Sequence, residues 1–303
     1  MMWAARGRAQ GPVRDVPIVI SGAGCAGYGR AMRHAPLLAT AALAAICLAP
    51  APAAAQGIDT EDVVRAELRP GWRTGAGTQM AALHIRLAPD WMTYWRKPGI
   101  AGIAPRFDWS DSSNLAHAEP HWPRPEVFDQ EGYRSIGYGG ELVLPLEITP
   151  QGRGPIEARL TLDIGVCREI CIPVTLELAA PMPELERPDP LIEAALARRP
   201  VDAAAGQVGD HACEIVPGDD ALNVTARIDM PVLEGTEVAV FEYRDEAVAL
   251  SESVTRREGG RLVAQAKARS LGGRPAALER SDLRITVLGA SDAVEIQGCP
   301  RGD

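Results

Sequence analysis

Short segments in which apolar and polar residues alternate, separated by glycine and proline, run through the chain from Asp62 onward. The chain of 303 residues contains 30 Gly and 25 Pro. A period of two residues indicates strands with one buried face, and Gly or Pro between such segments marks turns. Many short strands at regular spacing predict an all-β protein built from β-sandwiches. The segments are residues 63–68, 79–87, 142–148, 156–164, 172–178, 213–216, 222–228, 237–243, 262–268, 283–288 and 294–297.

A proline-rich stretch, residues 181–200, interrupts this pattern with five prolines and one short helical signal. Asp189 is a helix-capping residue type, Pro190 suits a first turn, and Arg198 suits a C-terminal end. Five of the six tryptophans lie between residues 72 and 122, and none follows the stretch. We therefore predict two tandem β-sandwich domains, residues 57–180 and 201–303, joined by a linker with a short helix.

The first 55 residues have the organisation of a leader. Residues 32–34 open a short basic segment, residues 36–49 are apolar, and small residues end at Ala55 before Gln56. This order is that of a cleaved secretory signal peptide, and the apolar run is shorter than the about 20 residues of a membrane span. Met32 is a candidate for the true start. We expect the chain after residue 55 to be exported to the periplasm.

The charge of the exported part excludes one class of partner. Removing residues 1–55 takes five Arg and one Asp from a chain of net charge −9, which leaves −13. Nucleic-acid binding depends on cationic contacts to phosphate. We therefore expect no nucleic-acid partner.

Four cysteines remain after the leader is removed, and an even number in an oxidising compartment favours disulfides. Cys167 and Cys171 are separated by three residues. Their Cα atoms must come within about 7 Å to form a bond, whereas four steps of extended strand span about 13 Å. The chain must therefore fold back between them. A disulfide that closes so small a loop adds little stability, so a pair that opens and closes is the better interpretation.

Two other interpretations of this pair remain open. It could be a local structural disulfide, or it could be half of a metal site. The metal interpretation lacks a second Cys or His pair at ligand spacing. Arg168 could stabilise a thiolate on Cys167, and Glu169 would oppose it.

Cys213 and Cys299 lie on the first and last strands predicted for the second domain. A disulfide between them would close a loop of nearly the whole domain, for which the chain-entropy model gives about 4–5 kcal/mol of stability. We expect a structural disulfide. The alternative is a second redox pair that relays electrons.

Residues 163–173 (DIGVCREICIP) carry a resemblance to a known family. With the upstream residues 91–102 (WMTYWRKPGIAG), 107–110 (FDWS) and 122–125 (WPRP), they resemble the periplasmic N-terminal module of the DsbD/ScsB family of protein-disulfide reductases. The resemblance covers most of residues 60–180, and residues 200–303 resemble the second domain of the ScsB branch. The three-residue spacer between the cysteines favours the ScsB-like branch.

The resemblance implies immunoglobulin-like domains and a function. Cys167 and Cys171 would receive electrons from a membrane-embedded reductase and pass them to thioredoxin-fold client proteins, with no cofactor and no metal. The resemblance also implies a cap loop with an aromatic shield, for which residues 128–138 are the matching stretch. Phe128 and Tyr133 are the candidate shields, and glycines would make the loop mobile. The alternative is that both aromatics are ordinary core or surface residues.

Three functions follow from the sequence. The first is thiol–disulfide interchange through Cys167 and Cys171. The second is copper handling, since soft thiolates suit Cu(I) and the ScsB branch is associated with copper tolerance. The third is a non-catalytic immunoglobulin-like interaction module in which both disulfides are structural.

Overall fold

Strands dominate the computed structural model of the chain, which describes residues 60–100, 102–130, 132–272 and 277–302. The predicted leader, residues 1–55, lies outside the described residues. The prediction of an all-β fold made of sandwich sheets is confirmed. No helix in the described ranges has the length and apolar character needed to cross a membrane.

The first sandwich follows a one-turn helix and contains ten strands in two sheets. One sheet has the order β1-β2-β8-β5, and the other has the order β10-β9-β3-β7-β6, with β4 also paired to β9. The elements are α1 (Thr60–Val63), β1 (Val64–Arg73), β2 (Gln79–Leu87), β3 (Met92–Tyr94), β4 (Arg106–Asp108), β5 (His117–Pro120), β6 (Glu126–Gln130), β7 (Tyr133–Gly139), β8 (Glu141–Thr149), β9 (Glu157–Cys167) and β10 (Cys171–Pro181).

Alternation along the strands builds the core of this sandwich. On β2, Leu83 and Ile85 face the core, while Met80 and Ala82 belong to a separate cluster on the other side of the sheet. Because successive strand side chains point to opposite faces, one strand serves both clusters. Trp95, directly after β3, is fully buried in the main core.

The proline-rich stretch contains a capped helix, α2 (Pro190–Ala197), and the helix does not stand free. The side chain of Asp189 accepts hydrogen bonds from the backbone N–H groups of Leu191 and Ile192. Ile192 and Ala195 are buried against the outer cluster of the first sandwich. The helix therefore covers the face of the sheet that the core does not use.

The second sandwich is made from the residues after α2. Its sheets have the orders β11-β19-β18-β14 and β12-β13-β17-β15, with β16 also paired to β17. The elements are β11 (Val201–Asp202), β12 (His211–Pro217), β13 (Leu222–Ile228), β14 (Val238–Tyr243), β15 (Val248–Leu250), β16 (Val254–Glu258), β17 (Arg261–Ser270), the 3₁₀ turn η1 (Arg280–Asp282), β18 (Leu283–Leu288) and β19 (Ala293–Gln297).

The two sandwiches contact each other through apolar side chains. The buried cluster that forms the core of the first sandwich also includes Val238, Val240, Leu288 and Ala293 of the second. The domain boundaries at residues 180 and 201 stay a prediction.

One stretch differs from its sequence-based expectation. Residues 128–138 are expected to form a glycine-rich mobile loop, but residues 128–130 and 133–138 lie in the paired strands β6 and β7. Gly137 explains the difference, because a Cβ at this position would lie 2.0 Å from the backbone oxygen of Thr93. The glycine permits close approach of β7 to β3 rather than mobility.

Candidate redox site

The cysteine pair lies at the end of a β-hairpin. Strand β9 ends at Cys167, strand β10 begins at Cys171, and the two residues are direct partners in the antiparallel ladder. Their Cα atoms are 4.2 Å apart and their sulfurs form a disulfide. The three intervening residues make the reversal, with the N–H of Arg168 donating to the carbonyl of Ile170. The ladder itself therefore holds the two cysteines together.

Strand β3 packs beside the cysteines because a glycine lies on β9. A Cβ at Gly165 would lie 2.8 Å from Ile103 and 2.9 Å from the ring of Tyr94. The hydroxyl of Thr93 donates a hydrogen bond of 2.9 Å to the Gly165 carbonyl. Met92 is the ladder partner of Cys167 on this side. Close packing at Gly165 thus brings the Tyr94 ring against the cysteine hairpin.

The hydroxyl of Tyr94 contacts both sulfurs. It lies 2.8 Å from Sγ of Cys167 and 3.1 Å from Sγ of Cys171. Burial raises the pKa of Tyr94, and a hydrogen bond with Ser135 only partly opposes that shift. The phenol is therefore protonated near neutral pH and can donate a hydrogen bond to a sulfur. Sequence analysis did not identify Tyr94, because nothing in the spacing showed which strand lies beside the cysteines.

The two cysteines differ in exposure. Cys167 is 1% exposed and belongs to a small buried cluster with Met92 and Tyr94. Cys171 is an exposed residue at the start of the edge strand β10. Only Cys171 is therefore readily accessible to a second protein.

The two candidate shields lie in different places. Phe128, on β6, packs against the cluster that contains Cys167. Tyr133, at the start of β7, is 60% exposed. The structure thus brings Phe128 to the cysteine pair and leaves Tyr133 exposed at the start of β7, in the β6–β7 hairpin.

The three residues between the cysteines are a cationic, an anionic and an apolar residue, Arg168, Glu169 and Ile170. The guanidinium of Arg168 lies 5.5 Å from the centre of the Trp91 ring, a cation–π distance. Ile170 is exposed.

Cys213 and Cys299 form the other disulfide, far from this hairpin in sequence. Their Cα atoms are 5.4 Å apart, and 86 positions separate them. Both residues are fully buried in the second core. The disulfide links β12 to the segment that follows β19.

No group of three or more potential metal ligands (His, Cys, Asp or Glu) occurs within the described ranges. The histidines at 84, 117 and 121 instead lie within hydrogen-bonding distance of glutamates. Their partners are Glu67 and Glu141, Glu119, and Glu147 respectively.

The first sandwich carries a two-cysteine hairpin at one edge of a sheet. Residues 61–183 match the model of the family described as thiol:disulfide interchange protein DsbD, N-terminal. This part of the chain is therefore similar to the N-terminal domain of the DsbD/ScsB family, which has an immunoglobulin-like fold.

A solved structure shows the same fold over a longer range. The crystal structure of the N-terminal periplasmic domain of ScsB from Proteus mirabilis matches with a TM-score of 0.62 and 20% identity, covering 81% of this chain and 97% of the other. That share exceeds residues 61–183, so the likeness in fold extends into the second sandwich. No curated protein matches the chain.

Proposed function

We propose that this protein is a periplasmic protein-disulfide reductase component that exchanges electrons through Cys167 and Cys171. The observation that carries the proposal is the disulfide between a buried and an exposed cysteine, with the Tyr94 hydroxyl at both sulfurs. A purely structural disulfide needs neither an accessible sulfur nor a proton donor beside it.

The difference in exposure between the two cysteines supports one order of reaction. In the reduced protein, the Cys171 thiolate attacks one sulfur of a client disulfide, and the other client sulfur leaves as a thiolate. Cys167 then loses its proton and attacks Sγ of Cys171, which releases the client as a dithiol and closes the Cys167–Cys171 disulfide. Two electrons pass to the client in the complete exchange. The Tyr94 hydroxyl donates a hydrogen bond to the sulfur that carries negative charge.

The proposed electron donor and clients are those of the family that residues 61–183 resemble. A membrane-embedded reductase of the DsbD/ScsB type would re-reduce the disulfide, and thioredoxin-fold proteins of the periplasm would accept the electrons. The match of residues 61–183 supports a thiol–disulfide interchange domain, and the route is our proposal. Phe128 is the proposed shield of the reduced pair, because it packs on the cluster that contains Cys167.

The proposal includes the domain organisation. Residues 57–180 form the redox domain, residues 181–200 connect it, and residues 201–303 form the second domain. The sheets support this division, since no sheet in the described part of the chain combines strands from both sides of α2.

The test is the equilibrium reduction potential of the Cys167–Cys171 pair, titrated with glutathione or dithiothreitol and measured by thiol alkylation. We expect a midpoint of roughly −180 to −270 mV, the range of redox-active pairs. A midpoint well below about −300 mV is that of a structural disulfide and would rule the exchange function out.

A further inference from the structure

Residues 94–100 connect the cysteine pair directly to the second sandwich. Tyr94 touches both sulfurs, and two residues later Arg96 is bound by carboxylates of the second sandwich. We propose that the second sandwich is part of the redox site, and that Arg96 is a positioning residue which fixes Tyr94 against the sulfurs. The inference rests on the proposed exchange function.

Arg96 makes the most extensive polar contact between the sandwiches in the described part of the chain. Its Nε and Nη2 donate to the two oxygens of Glu242 at 2.8 and 2.9 Å, and Nη2 also donates to Glu295 at 2.6 Å. The side chains of Arg96 and Glu242 are 18% and 17% exposed. Burial disfavours the charge on Arg96, and the two carboxylates outweigh it and raise the pKa of Arg96. A bidentate, largely buried pair of this kind fixes orientation as well as distance.

The intervening residue, Trp95, adds to the rigidity of the connection. Its backbone N–H donates to the carbonyl of Ile136 on β7 at 2.9 Å. The guanidinium carbon of Arg96 lies 4.4 Å from the centre of its ring. The indole N–H of Trp95 is buried without an acceptor among the described residues, which is unfavourable. Other contacts must therefore hold this segment in place, and the Arg96 cluster supplies three hydrogen bonds.

A second set of contacts joins Ile100 and the β6–β7 hairpin to the second sandwich. Glu252 accepts a hydrogen bond of 3.2 Å from the N–H of Ile100, and Arg134 donates to the carbonyl of Ser253 at 3.2 Å. Arg134 is on β7, which pairs with β6, the strand that carries Phe128. Tyr94, which contacts both sulfurs, and Phe128, which packs on the cluster, therefore belong to elements that are held by contacts to the second sandwich.

Loss of Arg96 has a specific consequence. Glu242 would remain largely buried without its partner, and the interface would relax to hydrate it. Because Tyr94 is two residues from the anchor, such a shift moves its hydroxyl relative to the sulfurs. A hydrogen bond weakens steeply with distance and angle, so the thiolate of the reduced pair loses stabilisation.

The experiment compares Arg96→Gln with Arg257→Gln in the purified full-length protein. Arg257 makes an equivalent bidentate pair with Glu237, but within the second sandwich. The readout is the rate of iodoacetamide alkylation of the reduced Cys167–Cys171 pair as a function of pH. We expect Arg96→Gln to lower the rate near pH 7 by about three- to tenfold and to move the profile to higher pH. Arg257→Gln should leave the profile unchanged.

A double-mutant cycle shows whether Arg96 acts through Tyr94. In a Tyr94→Phe background, Arg96→Gln should have no further effect on the profile. If Arg96→Gln destabilises the protein too far, Glu295→Gln removes only the peripheral carboxylate and should give a smaller shift in the same direction. Equal alkylation profiles for Arg96→Gln, Arg257→Gln and the unmodified protein would overturn the inference. An effect of Arg96→Gln that persists in the Tyr94→Phe background would overturn it too.

Failure of the inference and failure of the proposed function are distinguishable. Alkylation is measured on the chemically reduced protein and requires no client or electron donor. A reduction potential typical of structural disulfides would rule out the exchange function, and the alkylation profiles would still be interpretable. Conversely, a redox-active potential with no Arg96 effect would retain the function and remove only the role of the second sandwich.

Discussion

Tyr94 has the closest polar contact with the sulfur atoms of the cysteine pair. A hydrogen bond to a charged group contributes about 1.5–3 kcal/mol, which corresponds to about one pKa unit or more. We therefore predict that Tyr94→Phe raises the thiol pKa of Cys171 in the reduced protein by about one unit. Alkylation rates measured from pH 5 to pH 10 would show the shift.

Tyr138→Phe is the matched control for this prediction. The Tyr138 hydroxyl is also buried and donates to the carbonyl of Pro123 at 2.8 Å. Removing it should destabilise the core without changing the alkylation profile. Identical profiles for the two Phe variants would show that the Tyr94 hydroxyl does not act on the thiolate.

Phe128 and Tyr133 allow a direct comparison of the two candidate shields. Phe128→Ala removes a ring that packs on the Cys167 cluster, whereas the Tyr133 side chain is largely exposed. We predict that Phe128→Ala accelerates air oxidation of the reduced pair several-fold and that Tyr133→Ala does not. Loss of free thiol with time measures both rates, and acceleration by Tyr133→Ala alone would reverse the assignment.

The sequence could predict some of these residues and not others. Cys167 and Cys171 stand out because their spacing demands a reversal of the chain. Tyr94 does not, because its contact depends on which strand pairs with β9 and on the room left by Gly165. Pairing of distant strands is a property of the folded sheet, and local periodicity does not encode it.

At the scale of elements, helix α2 follows from its capping residues, and one of them also makes an ion pair. Asp189 caps the helix and accepts from Arg69 at 2.9 Å. Burial raises the pKa of Asp189, but Arg69 and the two backbone N–H groups outweigh burial, so the net shift is downward from 3.8. Its carboxylate therefore stabilises the fold above the unfolded pKa, and this contribution is lost as pH falls through the lower folded value.

Asp189→Asn keeps a capping oxygen and removes the ion pair. We predict that it lowers the free energy of unfolding by about 0.5–1 kcal/mol at pH 7, and that the difference is smaller at pH 3 and shrinks further as the Asp189 carboxylate becomes protonated. Urea unfolding at both pH values tests this. Glu193→Gln, which neutralises an exposed acid in the same helical turn, is the control and should cost less. An Asp189→Asn effect that persists at low pH would contradict the ion-pair origin.

Most strands follow from period-two alternation, whereas the elements around the cysteines do not. Strand β3 has only three residues and all are buried, so it shows no alternation. Strands β6 and β7 contain the glycines that suggested a loop. The residues beside the cysteine pair must allow close approach to β9 and to each other. That requirement obscures the alternation of apolar and polar residues on which sequence-based assignment depends.

At the scale of the whole molecule, the two disulfides differ in exposure, since one of them joins the buried Cys167 to the exposed Cys171. Cys213 and Cys299 are both buried in the second core. We predict that replacing both with Ala lowers the free energy of unfolding by about 4 kcal/mol and leaves the Cys167–Cys171 potential unchanged. Thermal unfolding and the glutathione titration measure the two quantities. Graded reduction with mass mapping should open Cys167–Cys171 first, and the opposite order would point to a redox role for the buried disulfide.

The ladder register of Cys167 and Cys171 determines how long an intermolecular disulfide can last. Because the two residues are ladder partners with Cα atoms 4.2 Å apart, backbone pairing would keep Cys167 beside Cys171 while a client is attached in the proposed exchange. The effective molarity of the second thiol would then be high, and Cys167 would displace the client quickly. The fraction of protein joined to a client by a disulfide would therefore depend on the geometry of this hairpin as well as on the strength of the interface.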